Sequence, residues 1–191
     1  VSGECFAELW NSVICVDINK QKIEKLKKGI IPIYEPGLEE ITKRNIKQNR
    51  LQFTTNLPSS IRNSDIIFIC VGTPTKKNSN AADLSQVFNV AKEIGKFIKS
   101  FKIIVTKSTV PVTTGDKIEK ILLKNAKRKN FSVISNPEFL REGDAINDFF
   151  FPDRIVIGTS DKRTNKLMHS LYAPLLSKGA KYVNSSRRGA E

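Results

Sequence analysis

The sequence predicts an α/β fold, a doubly wound and mostly parallel sheet with helices on both faces. Three observations carry this. Short β-branched runs alternate along the chain with segments of helical spacing. Several of those runs, such as IIFICV and KIIVTK, are nearly all apolar, as strands covered on both faces are. No internal repeat or low-complexity linker interrupts the alternation, and a βαβα alternation gives right-handed crossovers.

The elements follow in order. VSGECFAELW reads as the tail of a helix and a turn, leading to a strand over Ser12–Val16 that presents Asp17 at its end. Asn19 suits the N-cap of a helix over Lys20–Lys28, with Gly29 as its stop. Glu35-Pro36 looks like a cap followed by Pro at the first helical position. Strands are predicted over Gln52–Thr55 and Asp65–Val71. Leu84, Val87, Ala91, Ile94 and Ile98 then share one helix face. A strand over Lys102–Thr106 precedes a helix carrying Ile118, Ile121, Leu122 and Asn125 on one face. The remaining strands are Phe131–Ile134, Arg154–Gly158 and Ala180–Val183, with Leu167, Leu171 and Leu175 lining the helix between the last two.

Composition narrows the function classes. The 191 residues, 39% hydrophobic and 27% charged, suffice for one domain with a real core. No apolar run is long enough to span a bilayer, and no signal peptide is visible. Cys5, Cys15 and Cys70 sit among apolar neighbours, which argues against a disulfide framework and for a reducing, cytoplasmic setting. The net charge of +13 admits a polyanion partner, but the lysines are dispersed with carboxylates between many of them. No nucleic-acid motif accompanies them, so nucleic acid is disfavoured, and a basic surface suits small phosphorylated substrates equally well.

In sheets of this class ligands sit beyond the carboxyl ends of the strands. Asp17 there could accept hydrogen bonds from a ribose, or simply start a helix beside Asn19. Gly72–Thr75 could line a cofactor without crowding it, or form a Pro-containing turn. Ser108–Pro111 offers hydroxyls for a polar ligand, or caps for a helix beginning near Thr113 or Thr114. In SNPEFLREGDAIND, Glu138 and Glu142 share a face only if the segment is helical. Pro137 and Gly143 make a compact turn equally possible, and Arg141 could pair with either Glu. A carboxylate at a strand end suits general acid–base work. His169, the single histidine, reads as structural.

Five segments occur in a telling order: IPIYEPGLEE (31–40), VGTPT (71–75), KSTVPV (107–112), SNPEFLREG (135–143) and PDRIVIG (152–158). Together they resemble the UDP-glucose 6-dehydrogenase family of nucleotide-sugar dehydrogenases, and the UDP-glucose branch more than the GDP-mannose or UDP-N-acetylmannosamine branches. The resemblance covers essentially the whole chain. It implies a Rossmann-like NAD-binding domain over 1–185 and the start of a central connecting helix over 186–191. It also implies NAD as cofactor, a UDP-sugar as substrate and a homodimer in the full-length family.

The family oxidises a sugar C6 alcohol to a carboxylate in two steps, reducing two NAD⁺ and hydrolysing a cysteine thioester. By similarity Asp17 would bind the adenosine ribose, with Lys22 close by. Val71, Gly72, Thr73, Pro74 and Thr75 would line the cofactor. Ser108, Thr109 and Val110 would approach the nicotinamide, with the Thr109 hydroxyl helping to hold the catalytic water. Glu138 would assist acid–base steps and thioester hydrolysis, and Glu142 would border cofactor and substrate. Phe139, Leu140 and Arg141 would complete the substrate contacts. No metal is implied.

Three departures from the family's pattern set further expectations. Its first strand and G-x-G-Y-V-G turn would precede Val1, and they are not in the sequence. The sugar-binding domain with the catalytic cysteine would follow Glu191, so the chain is expected to be partial and inactive alone. None of Cys5, Cys15 and Cys70 matches that nucleophile. Trp10 stands where the family usually has Gly, a left-handed position that costs a Trp of order 1 kcal/mol. The alternative reading is a non-catalytic, basic α/β remnant that binds nucleotide or nucleic acid.

Overall fold

A computed structural model describes residues 1–77, 81–127 and 129–191. In chain order the elements are α1 (Ser2–Glu8), β1 (Val13–Val16), α2 (Lys20–Lys27), α3 (Leu38–Lys47), β2 (Leu51–Thr54), α4 (Leu57–Asn63) and β3 (Ile66–Ile69). They continue with α5 (Ser85–Phe97), β4 (Lys102–Thr106), α6 (Thr114–Asn125), β5 (Phe131–Ser135), α7 (Ala145–Phe150), β6 (Arg154–Gly158), α8 (Lys162–Leu176), β7 (Lys181–Ser185) and α9 (Arg187–Ala190). Each predicted strand is present, shifted by a residue or two at its ends.

The strands form two sheets. β1 and β2 pair in parallel, and β3-β4-β5-β6-β7 form the larger sheet. All of its ladders are parallel except β5–β6, which is antiparallel and touches only at Ser135 and Gly158. The larger sheet is covered on both faces, and β4 shows why the three central residues of such a strand are all apolar. Ile103 and Val105 join a cluster with Phe6, Ile134, Met168 and Tyr172. Ile104, between them, joins Val87, Ile94, Ile118 and Leu122 on the opposite face. Successive strand residues point to opposite faces, so a strand buried on both needs no polar alternation.

Local signals explain several helix ends. The Asn19 side chain accepts from the Lys22 backbone N–H, satisfying one orphan donor of α2. Gly29 follows with φ +74°, the left-handed stop that glycine takes without a Cβ penalty. Two helix readings need correction. Glu35 does not cap α3: Gly37 holds that position, with φ +82°. On α8 the buried face is Thr164, Met168, Tyr172 and Leu175, while Leu167 is exposed. Leu175 is buried and Leu171 packs half-buried against the core as expected; residues spaced by four drift round a helix of 3.6 residues per turn, which leaves Leu167 outside the buried stripe. His169 is exposed, its ring edge-on to Tyr182 at 5.0 Å.

Trp10 has φ +67° and is 80% exposed, immediately beyond the C-cap of α1. The Arg50 guanidinium lies 4.4 Å from its ring centroid and donates to the Ala7 carbonyl at 3.1 Å. Relief of left-handed strain in Trp10→Gly, of order 1 kcal/mol, exceeds the loss of an exposed cation–π contact, about 0.5 kcal/mol. The substitution should therefore stabilise the chain by about 0.5 kcal/mol, a rise of about 1–2 °C in melting temperature. A fall in that temperature would contradict the balance.

Candidate functional site

The carboxyl ends of β1, β3, β4 and β5 carry the loops singled out in the sequence. Asp17 directly follows β1. One of its oxygens accepts from the Asn19 backbone N–H at 2.9 Å, and the other from the Lys22 ammonium at 2.7 Å. Partial burial pushes this carboxyl up, but Lys22 and the backbone donors outweigh it and hold it below the usual carboxylate range. Asp17 therefore stays charged at neutral pH. Ile18 beside it is 96% exposed, an open apolar surface next to a fixed acceptor.

The β3 and β4 loops are tied to each other. The Ser108 hydroxyl donates to the Val71 carbonyl at 2.7 Å, and the Thr73 hydroxyl donates to the Thr109 carbonyl at 3.1 Å. A Cβ on Gly72 would meet nothing within 4 Å, so there is open space above this turn. Pro74 and Thr75 are exposed, and Thr75 bridges to Ala82. Val110 is buried and anchors its loop, whereas Thr109 is exposed. Its hydroxyl accepts and donates no hydrogen bond among the described residues, and is free for a water or ligand.

The hydroxyls of this loop do not cap α6. Thr113 takes the N-cap position with φ +78°, and the Glu191 carboxylate accepts from the Thr113 and Gly115 backbone N–H groups, both at 2.6 Å.

The segment after β5 is a turn, not a helix, and α7 starts only at Ala145. Asn136 fixes its first end. Its N–H donates to the Thr106 carbonyl at 2.9 Å, its amide donates to the Val156 carbonyl at 3.0 Å, and it accepts from the Tyr172 hydroxyl at 2.5 Å. Arg141 pairs with neither glutamate. Its guanidinium reaches Asp144 at 2.7 Å and Asp148 at 2.6 Å, and its backbone N–H also donates to Asp148. Two nearer carboxylates neutralise it, one of them already oriented by α7. Phe139 and Glu142 are exposed, while Leu140 packs against the core.

Sequence reasoning missed Lys107. Its residue is only 5% exposed, and its ammonium lies 3.4 Å from Glu138, which also accepts from the Ser2 hydroxyl at 3.3 Å. A buried ammonium needs an opposite charge or acceptors. Lys102, equally buried at the start of β4, finds a carbonyl instead, that of Arg62 at 3.0 Å. No signal in the sequence marked it, since Lys107 lies one residue past β4, where a solvated strand-end lysine would also stand. Beneath the loop, a cavity of about 490 Å³ is lined by Lys107, Asn136, Phe139, Leu140, Arg141 and Tyr172.

The cysteines offer no activated nucleophile. Burial pushes the Cys5 thiol up to about 12, far from the thiolate that attacks carbonyl carbon. Cys70, one residue past β3, is exposed, contrary to its apolar neighbours in sequence, yet desolvation still pushes its thiol up to about 11. No helix is long and apolar enough to cross a membrane among the described residues.

Comparison with known proteins gives this geometry a family. The NAD binding domain of the UDP-glucose/GDP-mannose dehydrogenase family matches residues 1–176. UDP-glucose 6-dehydrogenase of Rhizobium meliloti is 47% identical over 100% of this chain and 44% of its own. UDP-glucose 6-dehydrogenase TuaD of Bacillus subtilis is 50% identical over 91% of this chain and 38% of its own. The chain thus spans less than half the length of these relatives. Among solved structures, a UDP-glucose dehydrogenase from Pyrobaculum islandicum superposes with a TM-score of 0.94 at 37% identity, over 99% of this chain and 44% of that one. A ternary complex of GDP-mannose dehydrogenase from Pseudomonas aeruginosa gives the same TM-score at 35% identity and the same coverage. A family match over 176 of 191 residues, on an α/β fold with these loops at its strand ends, is decisive: the chain belongs to the UDP-glucose/GDP-mannose dehydrogenase family, as its NAD binding domain.

Proposed function

We propose that this chain is the cofactor-binding part of an NAD-dependent UDP-glucose 6-dehydrogenase that oxidises the sugar C6 alcohol to a carboxylate in the cytoplasm. The observation that carries the reading is the charged, pre-oriented Asp17 at one strand end, with the tied Val71–Thr75 and Ser108–Val110 loops at two others. The finer topology we infer is a doubly wound, Rossmann-like sheet, since its larger part is packed on both faces.

NAD, when bound, supplies the hydride acceptor. Asp17 accepts from the adenosine ribose hydroxyls and repels a 2′-phosphate, with Lys22 holding its carboxylate in place. Val71, Gly72, Thr73, Pro74 and Thr75 form one wall, and the open space above Gly72 fits a cofactor lying close to backbone. Ser108 and Val110 set the β4 loop, which presents the free Thr109 hydroxyl to a water. Glu138 takes the proton of the reacting group, its carboxylate held by Lys107 and Ser2. Glu142 borders both NAD and the UDP-sugar, and Phe139, Leu140 and Arg141 border the UDP-sugar, Arg141 through its backbone and stem because its charge is already neutralised.

In an enzyme carrying this domain, Asp17→Ala should raise the KM for NAD⁺ about tenfold, the worth of hydrogen bonds to a charged group. It should also narrow the preference for NAD⁺ over NADP⁺, with kcat at saturating NAD⁺ nearly unchanged. Equal cofactor affinity in the variant and the parent would overturn the ribose assignment.

A further inference from the structure

We propose that Glu35 is a positioning residue for the Glu138–Glu142 loop, acting from a separate loop more than a hundred residues away. The inference rests on the reading of Glu138 as the acid–base group.

The segment carrying both glutamates is held firmly at its first end by Asn136. Its other end has a difficulty. α7 needs acceptors for its first backbone N–H groups. Asp144 occupies the N-cap but makes no capping bond, its carboxylate taking the Arg141 guanidinium instead. Glu35 supplies the acceptors. One of its oxygens accepts from Gly143 N–H at 3.0 Å and the other from Ile146 N–H at 3.2 Å.

Glu35 is only 9% exposed and has no ion-pair partner among the described residues, so these two N–H groups are its compensation for burial. Gly143 sits at φ +82° with open space where a Cβ would lie, so its turn is set by backbone conformation rather than by packing. Between Asn136 and Gly143 the other backbone bonds described are local to Arg141: its N–H donates to Asp148, itself a residue of α7, and its carbonyl accepts from the Asp144 N–H at 3.3 Å. Phe149 keeps α7 seated and Leu140 keeps its own contact with the core, so losing Glu35 loosens the turn at Gly143, and Glu142 beside it and Glu138 further along lose the fixed far end of their loop.

The test compares Glu35→Ala and Glu35→Gln with the parent by amide hydrogen exchange and by steady-state kinetics in an enzyme carrying this domain. In the alanine variant, exchange at Gly143 and Ile146 should accelerate by about tenfold or more, the loss of bonds to a charged acceptor. Exchange at Ile104 and Ile134 in the core strands should hold. Turnover should fall about 10–100-fold, as for a catalytic group displaced by an ångström, with KM for NAD⁺ moving far less through Glu142. Gln keeps one side-chain oxygen as acceptor and should recover part of both effects. If the alanine variant does not fold, the glutamine variant still reads the loss at one of the two amides.

Unchanged exchange at Gly143 and Ile146 overturns the proposal, as does full turnover in a variant whose loop has loosened. Glu138→Gln measured alongside separates the two readings. Full activity there would remove the role of Glu138 and leave the exchange result standing.

Discussion

Glu138→Gln is expected to slow turnover by roughly 10²–10⁴-fold, the usual worth of a positioned acid–base group. Glutamine keeps the shape and the hydrogen-bonding reach of the side chain but cannot take a proton. The KM for the sugar nucleotide should change far less, because the loss falls on the chemical step. Thr109→Ala should slow the hydrolytic step in the same direction, since the exposed hydroxyl has no structural partner to lose. A change confined to KM in either variant would contradict these roles.

The competing explanation for a loss in Glu138→Gln is unfolding, because Lys107 would lose its counter-charge. Breaking a fully buried pair costs about 3–5 kcal/mol. Here the Glu138 side chain is 38% exposed and the ammonium–carboxylate distance is 3.4 Å, so solvent screens the pair. The stability cost should stay near 1 kcal/mol or less. A large activity loss with a small shift in melting temperature is therefore the expected pairing.

Phe6→Ala should produce the largest destabilisation of any single truncation in α1, about 3–5 kcal/mol. Seven residues make a helix far too short to persist alone, so α1 exists by what it packs against. Phe6 is the centre of that packing. Its ring centroid lies 5.1 Å from Phe68, 5.0 Å from Phe149 edge-on, and 5.5 Å from Tyr172. These rings come from the end of β3, from α7 and from α8, so one side chain joins elements spread along the chain. At about 2–4 °C per kcal/mol for a chain of this size, the melting temperature should fall by roughly 6–20 °C. Leu123→Ala, on the exposed side of α6, serves as the control and should change it by under about 2 °C. A drop for Phe6→Ala no larger than that control would show that α1 is not part of the core.

Strand positions were legible because burial on both faces demands uninterrupted apolar runs, and KIIVT can satisfy that in few other ways. Helix starts such as Asn19 were legible because the cap and its donor are three residues apart. The left-handed Trp10 could be anticipated only through the resemblance, whose pattern has Gly at that place between helix and strand. The partners of Arg141 could not. Glu138, Glu142, Asp144 and Asp148 all lie within seven residues of it, and only the turn into α7 brings the two aspartates to its guanidinium. Nor could the burial of Lys107, whose sequence neighbourhood resembles that of any solvated strand end.

Glu35 shows where the division falls. By itself the sequence determined the alternation of strands and helices, the loops that follow each strand, and the family those loops spell out. Each of these depends on residues near one another along the chain, where periodicity, capping and turn chemistry act. The tertiary structure alone decided that β6 runs against β5 and that the Glu35 carboxylate closes a turn at Gly143. Those outcomes depend on which backbone donors remain unpaired once distant segments meet, and no local pattern records them.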